Sequence, residues 1–485
     1  MFQTKVTQAF APPELAPAGK LNHRSRGLLP VLALWDNLVA IKRPPVCPYT
    51  TVSANLASPK ERISMFLSKF LSRRSFPVAF LAAAALIATP ALIAQKKADL
   101  TNLVVVGDSL SAGYQNSQLI ETSQVHGYAN VVATQAGVDL NLPLLPAPGF
   151  PQVSPGPYPE TIGLSFVPRT NNDQTRDVAV PGFTVGALVE FQPPCTPAAI
   201  PVPVFVQVLA SEILNPTCAV DPGPTELTEA VLLAPSTTIL WIGSNDALLP
   251  ILFGEDATDL PTFGFLQNVA ESTLASASGS LVVANIPDVT LLPYLTSVDR
   301  LAQILGLPVL SVETVFGLSH GDLVTPYAFA LIEAMGGSLT LLPDSIADGP
   351  VIIRAAAVAQ IRDTVVAYNA IIAEQAASNG AVLVDLYALV NDLAAHGKVV
   401  NGQKLTTEFL GGLFSYDGIH PTNTGYAIIA DEFIKVMNRT LGARIPPISI
   451  EQVAKTDPLI FPPDHKHNGY VDKAMADALR AVMAH

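Results

Sequence analysis

The sequence predicts an α/β three-layer sandwich: a mostly parallel sheet of five strands with helices on both faces, enlarged by loop insertions. Five short, apolar, β-branched runs carry this reading, at 103–106, 177–180, 238–242, 281–284 and 382–384. Such runs, without polar alternation, are strands buried on both faces. Helical patterns separate several of them, most clearly over 351–377, where apolar residues recur every three or four positions around Arg354, Arg362 and Asp363. A composition of 49% hydrophobic and 14% charged residues supplies the core and excludes global disorder. The 485 residues fit one enlarged domain with tails, and no internal repeat is visible.

The first 94 residues stand apart from that domain. Residues 76–94, FPVAFLAAAALIATPALIA, are 19 positions without a charge, preceded by Lys69, Arg73 and Arg74. Positive charge, then an apolar stretch, then small residues is the order of a secretory signal, with Ala94 at the expected cleavage point. Met65 stands just ahead of it. Translation is therefore expected to begin there, with 1–64 a non-native or disordered extension and 65–94 the signal peptide. The string SRRSF at 72–76 also resembles a twin-arginine export signal. At ~1.5 Å per residue the stretch nearly crosses a ~30 Å hydrocarbon core. Its two prolines and Ala-rich end favour cleavage, which leaves no stable membrane span and an exported chain, periplasmic or secreted. Cys47 precedes the signal, so Cys195 and Cys218 are the one pair of the mature chain. A bridge between them suits an oxidising compartment, and two buried free thiols are the alternative.

The remaining chain divides into a domain at 95–445 and a tail at 446–485. Pro and Gly crowd 141–159 and 192–224, which are expected as long surface loops roofing a site. The stretches 248–266 and 291–350 exceed a minimal sheet domain and are expected as insertions. In the tail, FPPDHKHNGY carries His465 and His467, and two histidines without a third ligand are a weak metal site. The net charge is −13, with no Lys or Arg run interleaved with aromatics, which argues against a nucleic-acid partner.

The first strand runs straight into GDSLSAGY, so Ser109 stands where the chain leaves the sheet and turns into a helix. In open parallel sheets that crevice is the natural site, and a helix N-terminus there offers N–H groups to an anion. A serine at this position is also a common helix cap, and Asp108 beside it is expected to brace the turn. A serine hydroxyl attacks only when a base takes its proton and a third group orients the base. The string FSYDGIHPTNTGYAIIADEF supplies both, with Asp417 and His420 three apart on one loop. Two other strand ends offer oxyanion donors. After 177–180 comes PGFTVGAL, where Gly182, or else Gly186, lets backbone approach a ligand. After 238–242 comes GSND, where Asn245 carries a side-chain amide, with Asp246 beside it as a turn residue.

With these four blocks in order, the chain resembles the GDSL, or SGNH, hydrolases over roughly 103–436. The resemblance implies a flavodoxin-like sandwich in which Ser109 is the nucleophile, His420 the base and Asp417 its orienter. It also implies an oxyanion hole from the Ser109 and Gly182 N–H groups and Asn245, with no metal or cofactor. The implied activity is hydrolysis of a carboxylic ester on a small molecule, a lipid or an acetylated glycan. An esterase or lipase is the first reading, a carbohydrate O-acetylesterase the second, and a non-catalytic exported binding module the third. Gly317 to Gly321 also reads GLSHG, a match to the G-x-S-x-G elbow around Ser319. An elbow needs a strand before it and a helix directly after, whereas GDLVTP follows, so Ser319 is expected in a loop. His126 and His320 have no comparable companions.

Overall fold

The computed structural model describes residues 98–460, apart from 156–158, 160, 165–166, 171–172, 197–203 and 335–339. The expected extension, Met65 start, Cys47, signal segment, and His465 and His467 all lie outside the described residues. Four of the five apolar runs form one parallel sheet. Its strands are β1 (Leu103–Gly107), β2 (Thr237–Trp241), β3 (Ser280–Ala284) and β4 (Val382–Val384), side by side in that order. The register pairs Val105 with Ile239, Leu240 with Val283 and Val384 with Ala284.

Alternate residues of each strand feed two different cores, as a period of two requires. Val104, Val106, Leu240, Leu281 and Val283 enter one; Leu103, Val105, Ile239, Trp241, Val282 and Ala284 enter the other. A short helix, α1 (Ser109–Ala112), follows β1 directly, and α2 (Tyr128–Ala136) covers the second face. The first face is covered by α3 (Val185–Glu190), α4 (Val204–Leu214), α5 (Glu226–Leu232), α6 (Ser244–Leu252), α7 (Leu260–Ala277) and α8 (Ala355–Ser378). After β4, α9 (Leu386–His396) and α10 (Asn423–Leu441) return to the second face. Three layers result.

The fifth expected strand forms only in part. Val105 donates to the Arg176 carbonyl (2.8 Å), Val178 to the Val105 carbonyl (3.0 Å) and Val180 to the Gly107 carbonyl (3.1 Å), yet a single bridge, Val105 with Asp177, is complete. The ladder fails at Gly107, whose N–H goes to Glu226 Oε1 at 2.6 Å. With this edge segment beside β1, the strands stand in chain order 2-1-3-4-5. That is the doubly wound order whose switch point lies at the carboxyl ends beside β1.

Three other expectations are corrected. The helix expected from 351 begins at Ala355, because Ile352–Ile353 pair antiparallel with Leu323–Val324. The Pro-rich stretch 192–224 is not loop throughout. Its apolar run forms α4 and buries Phe205, Val206, Leu209 and Ala210, a periodicity hidden in sequence by flanking prolines. Residues 248–266 are not an insertion but the end of α6 and the start of α7. The stretch from Leu291 to Pro350 does stand apart, around its own core of Val298, Leu301, Val312, Phe316, Ala328 and Phe329. Among the described residues no helix is long and apolar enough to cross a membrane.

Cys195 and Cys218 are joined as a disulfide with Cα atoms 5.5 Å apart, and Gly223 donates to the Pro193 carbonyl (2.8 Å) just outside it. A closed loop of this length is worth ~3 kcal/mol on the chain-entropy account. The double variant Cys195→Ser/Cys218→Ser is expected to lose about that much in urea denaturation. An unchanged midpoint would show that the link contributes nothing.

Candidate active site

The turn from β1 into α1 has no room to move. At Gly107 an added Cβ would lie 2.3 Å from the Trp241 carbonyl oxygen and 2.5 Å from Ser111 Oγ, so strand and helix meet here through a residue without a side chain. Asp108 caps α1, its Oδ1 accepting from the Leu110 N–H at 3.0 Å. This is the bracing role expected of it. Ser109 is the first helical residue, where N–H groups have no intrahelical acceptor. Gly113 closes the turn at φ 75°.

His420 reaches this serine from a loop ahead of α10. His420 Nε2 lies 2.8 Å from Ser109 Oγ, and its Nδ1 lies 2.8 Å from Asp417 Oδ2. The Asp417 carboxylate accepts four further bonds: to Oδ1 from Ser415 Oγ (3.0 Å), Ile419 N–H (2.9 Å) and His420 N–H (2.8 Å), and to Oδ2 from Ser117 N–H (2.8 Å). Burial alone would raise its pKa, but the His420 charge and these donors outweigh burial and hold the carboxyl below its ordinary value.

The segment after α1 clamps that loop, a feature the sequence reading missed. The Tyr114 ring lies against the His420 ring, centroids 4.8 Å apart. Gln115 Nε2 donates to the Pro421 carbonyl (3.0 Å), Asn116 N–H to Ser415 Oγ (3.1 Å) and Tyr416 N–H to Asn116 Oδ1 (2.9 Å). Asn116 and Ser117 both sit at positive φ, 53° and 59°, so the chain is bent into a rarely used conformation to serve Asp417. The sequence signal was slight: a polar QNS after GY, with no periodicity to mark it.

The two remaining blocks flank Ser109 at the same end of the sheet. Val180 donates to Gly107, and Pro181 and Gly182 then form a turn closed by Phe183 N–H to the Val180 carbonyl at 3.2 Å. Gly182 at φ 86° holds the turn position that excludes a Cβ. Gly186 lies inside α3 with no positive φ. Asn245, in the first turn of α6, donates its amide to the Phe183 carbonyl (2.8 Å) and lies 3.4 Å from Asp108 Oδ2. Asp246 is more than the turn residue expected: buried, it accepts from Val185 N–H (2.9 Å) and Thr258 Oγ1 (2.7 Å), tying α3 to α6. Ser319 is elsewhere, exposed between the helix Val309–Phe316 and the strand Leu323–Val324. His320 is exposed beside it, and half-buried His126 precedes α2. None of the three is brought to Ser109 by any hydrogen bond among the described residues.

The chain belongs to the GDSL-like lipase/acylhydrolase family, whose sequence pattern matches residues 103–433, and with it to a family of carboxylic ester hydrolases. Among solved structures it matches an acetylxylan esterase from Geobacillus stearothermophilus at 13% identity over 70% of this chain and 96% of that one, TM-score 0.33. It is also similar to an α/β hydrolase enzyme from the Lake Arreo metagenome, at 12% identity, 70% and 96% coverage, TM-score 0.33. An extracellular lipase from Streptomyces rimosus matches at 14% identity, 70% and 99% coverage, TM-score 0.28. Among curated proteins no match is found.

Several buried carboxyls lie around this end of the sheet or against it. Burial pushes Asp246 up to about 6, Asp108 to about 7 and Asp177 to about 8; the Glu271 carboxyl on α7 rises to about 7 for the same reason. A group whose pKa rises on folding stabilises fully below its unfolded value of about 4 and loses that contribution as pH climbs through its folded value. Asp417 is the opposite case, its contribution lost as pH falls below that of an ordinary carboxyl. The melting temperature is therefore expected to be highest near about pH 4 to 5 and to fall from there toward pH 8.5, with Asp177→Asn flattening the alkaline side. A Tm flat from pH 5 to 8.5 would refute the buried-acid account.

Proposed function

We propose that this protein is an exported serine esterase that hydrolyses carboxylic esters through an acyl-enzyme. The observation that carries the reading is the unbroken hydrogen-bonded chain from Ser109 Oγ through both His420 ring nitrogens to Asp417, 2.8 Å at each link. Ser109 Oγ attacks the ester carbonyl as His420 Nε2 takes its proton, and the oxygen of the carbonyl becomes an anion. In this reading the donors to that anion are the Ser109 N–H, the Gly182 N–H and the Asn245 amide, all from segments that leave the carboxyl ends of adjacent strands. The Asn245 amide donates to the Phe183 carbonyl at 2.8 Å and to Asp108 Oδ2 at 3.4 Å, and in this reading the longer bond is exchanged for the oxyanion. His420 then returns the proton to the leaving alcohol. A water, deprotonated by the same nitrogen, attacks the acyl group and releases the acid and Ser109.

Asp417 is suited to stay ionised throughout, since five donors surround it. It keeps the His420 proton on Nδ1 and leaves Nε2 to work as the base. Short to medium acyl esters or lipids are the substrates this reading favours. The disulfide between Cys195 and Cys218 supports export into an oxidising compartment.

With p-nitrophenyl acetate, butyrate and octanoate, Ser109→Ala is expected to abolish turnover in the folded protein. Asp417→Asn is expected to lower kcat by ~10⁴-fold, and Asn245→Ala by ~10²-fold or more with KM little changed. Undiminished hydrolysis by Ser109→Ala would remove the nucleophile from this scheme. Absence of turnover in wild type, here and on acetylated xylan, would remove the esterase reading itself.

A further inference from the structure

We propose that Glu226 is a positioning residue for the nucleophile, standing in for the missing rung of the fifth strand where β1 ends. In a parallel ladder the bonds from Val105 to Arg176 and from Val178 to Val105 would be followed by one from the Gly107 N–H to the Val178 carbonyl. The next rung, Val180 to Gly107, is present. The Gly107 N–H instead meets Glu226 Oε1 at 2.6 Å, so a side chain replaces the carbonyl next door.

This substitution falls two residues before Ser109, on a peptide with close neighbours on several sides. Glu226 grips Gly107 from the edge side, while the Trp241 carbonyl and Ser111 Oγ crowd it on the others. Asp108 and the start of α1 follow without an intervening residue. A shift of this peptide is therefore passed on to Ser109 Oγ, whose 2.8 Å contact with His420 depends on it. Misplacement by about 1 Å is worth ~10²-fold in rate.

An acid is a costly group for a purely structural bond. Glu226 is 0% exposed, and its Oε2 has no hydrogen-bond partner among the described residues. Burial, and then the negative charges of Asp108 and Asp177, hold its pKa well above the ordinary carboxyl value, against the pull of the Gly107 N–H. Burial thus favours the uncharged acid at Glu226, whose Oε1 accepts from the Gly107 N–H. Glutamine offers the same oxygen at the same reach without a charge. Alanine removes the oxygen, and aspartate withdraws it by one methylene.

The assignment rests on Ser109 as nucleophile, so Ser109→Ala is run beside the test. Glu226→Gln, Glu226→Asp and Glu226→Ala are compared for kcat and KM on p-nitrophenyl butyrate, for the rate of covalent inactivation by a fluorophosphonate, and for Tm. Glu226→Gln is expected within about threefold of wild type. The other two are expected to lose ~10- to 100-fold in kcat and inactivation rate together, with KM within about twofold. A folded Glu226→Ala or Glu226→Asp with wild-type kcat overturns the proposal, as does a folded Glu226→Gln as slow as Glu226→Ala. If Glu226→Ala does not fold, Glu226→Asp decides. Retained activity in Ser109→Ala would instead fault the nucleophile assignment.

Discussion

The parallel pairing of β1 with β2 is the contact on which the site depends. All ten of their residues are buried, and the two strands end level, Gly107 opposite Trp241. From those two ends the chain enters α1 with Ser109 and α6 with Asn245. The edge segment adds Gly182 on the other side of β1, so three of the four sequence blocks lie at three adjacent strand ends. Their spacing follows the roughly 4.8 Å between neighbouring strands and is fixed by bonds between the blocks, such as that from the Asn245 amide to the Phe183 carbonyl.

The fourth block has no such support and is held differently. His420 and Asp417 lie on an irregular loop, and irregular backbone needs partners for its polar groups. Those partners come from the residues after α1 and from the Leu291–Pro350 insertion, whose Tyr294 donates to the Gly418 carbonyl at 2.9 Å. Gly418, at φ 71°, leaves no space for a Cβ against Tyr294. The segment that presents the serine thus also orients the acid behind the histidine, which couples the two halves of the hydrogen-bonded chain.

Carboxyls at this end of the sheet behave in two ways, and the difference is donor supply. Asp417, with five donors, is stabilised as an anion despite burial. Asp108, Asp177 and Glu226 have too few donors for their burial and are pushed toward the neutral acid. Of these four buried acids only Asp417 is held toward its charged form. Two full negative charges near Ser109 would oppose an oxyanion forming there.

Much of the fold was legible because buried parallel strands announce themselves as short apolar runs, and four of the five runs became strands within a residue or two. The blocks carrying Ser109, Gly182, Asn245, Asp417 and His420 were legible too, because each is a local pattern at a strand end or in a loop. What sequence could not show were relations between distant segments. Nothing near Glu226 tells that its carboxyl would displace the fifth strand's rung at Gly107, 119 residues away. Nothing near Asn116 and Ser117 tells that they would grip a loop some 300 residues on. Local patterning determined which elements form and which residues end them. Only the tertiary structure decided which polar groups meet, because a buried hydrogen bond takes whatever partner packing brings within reach.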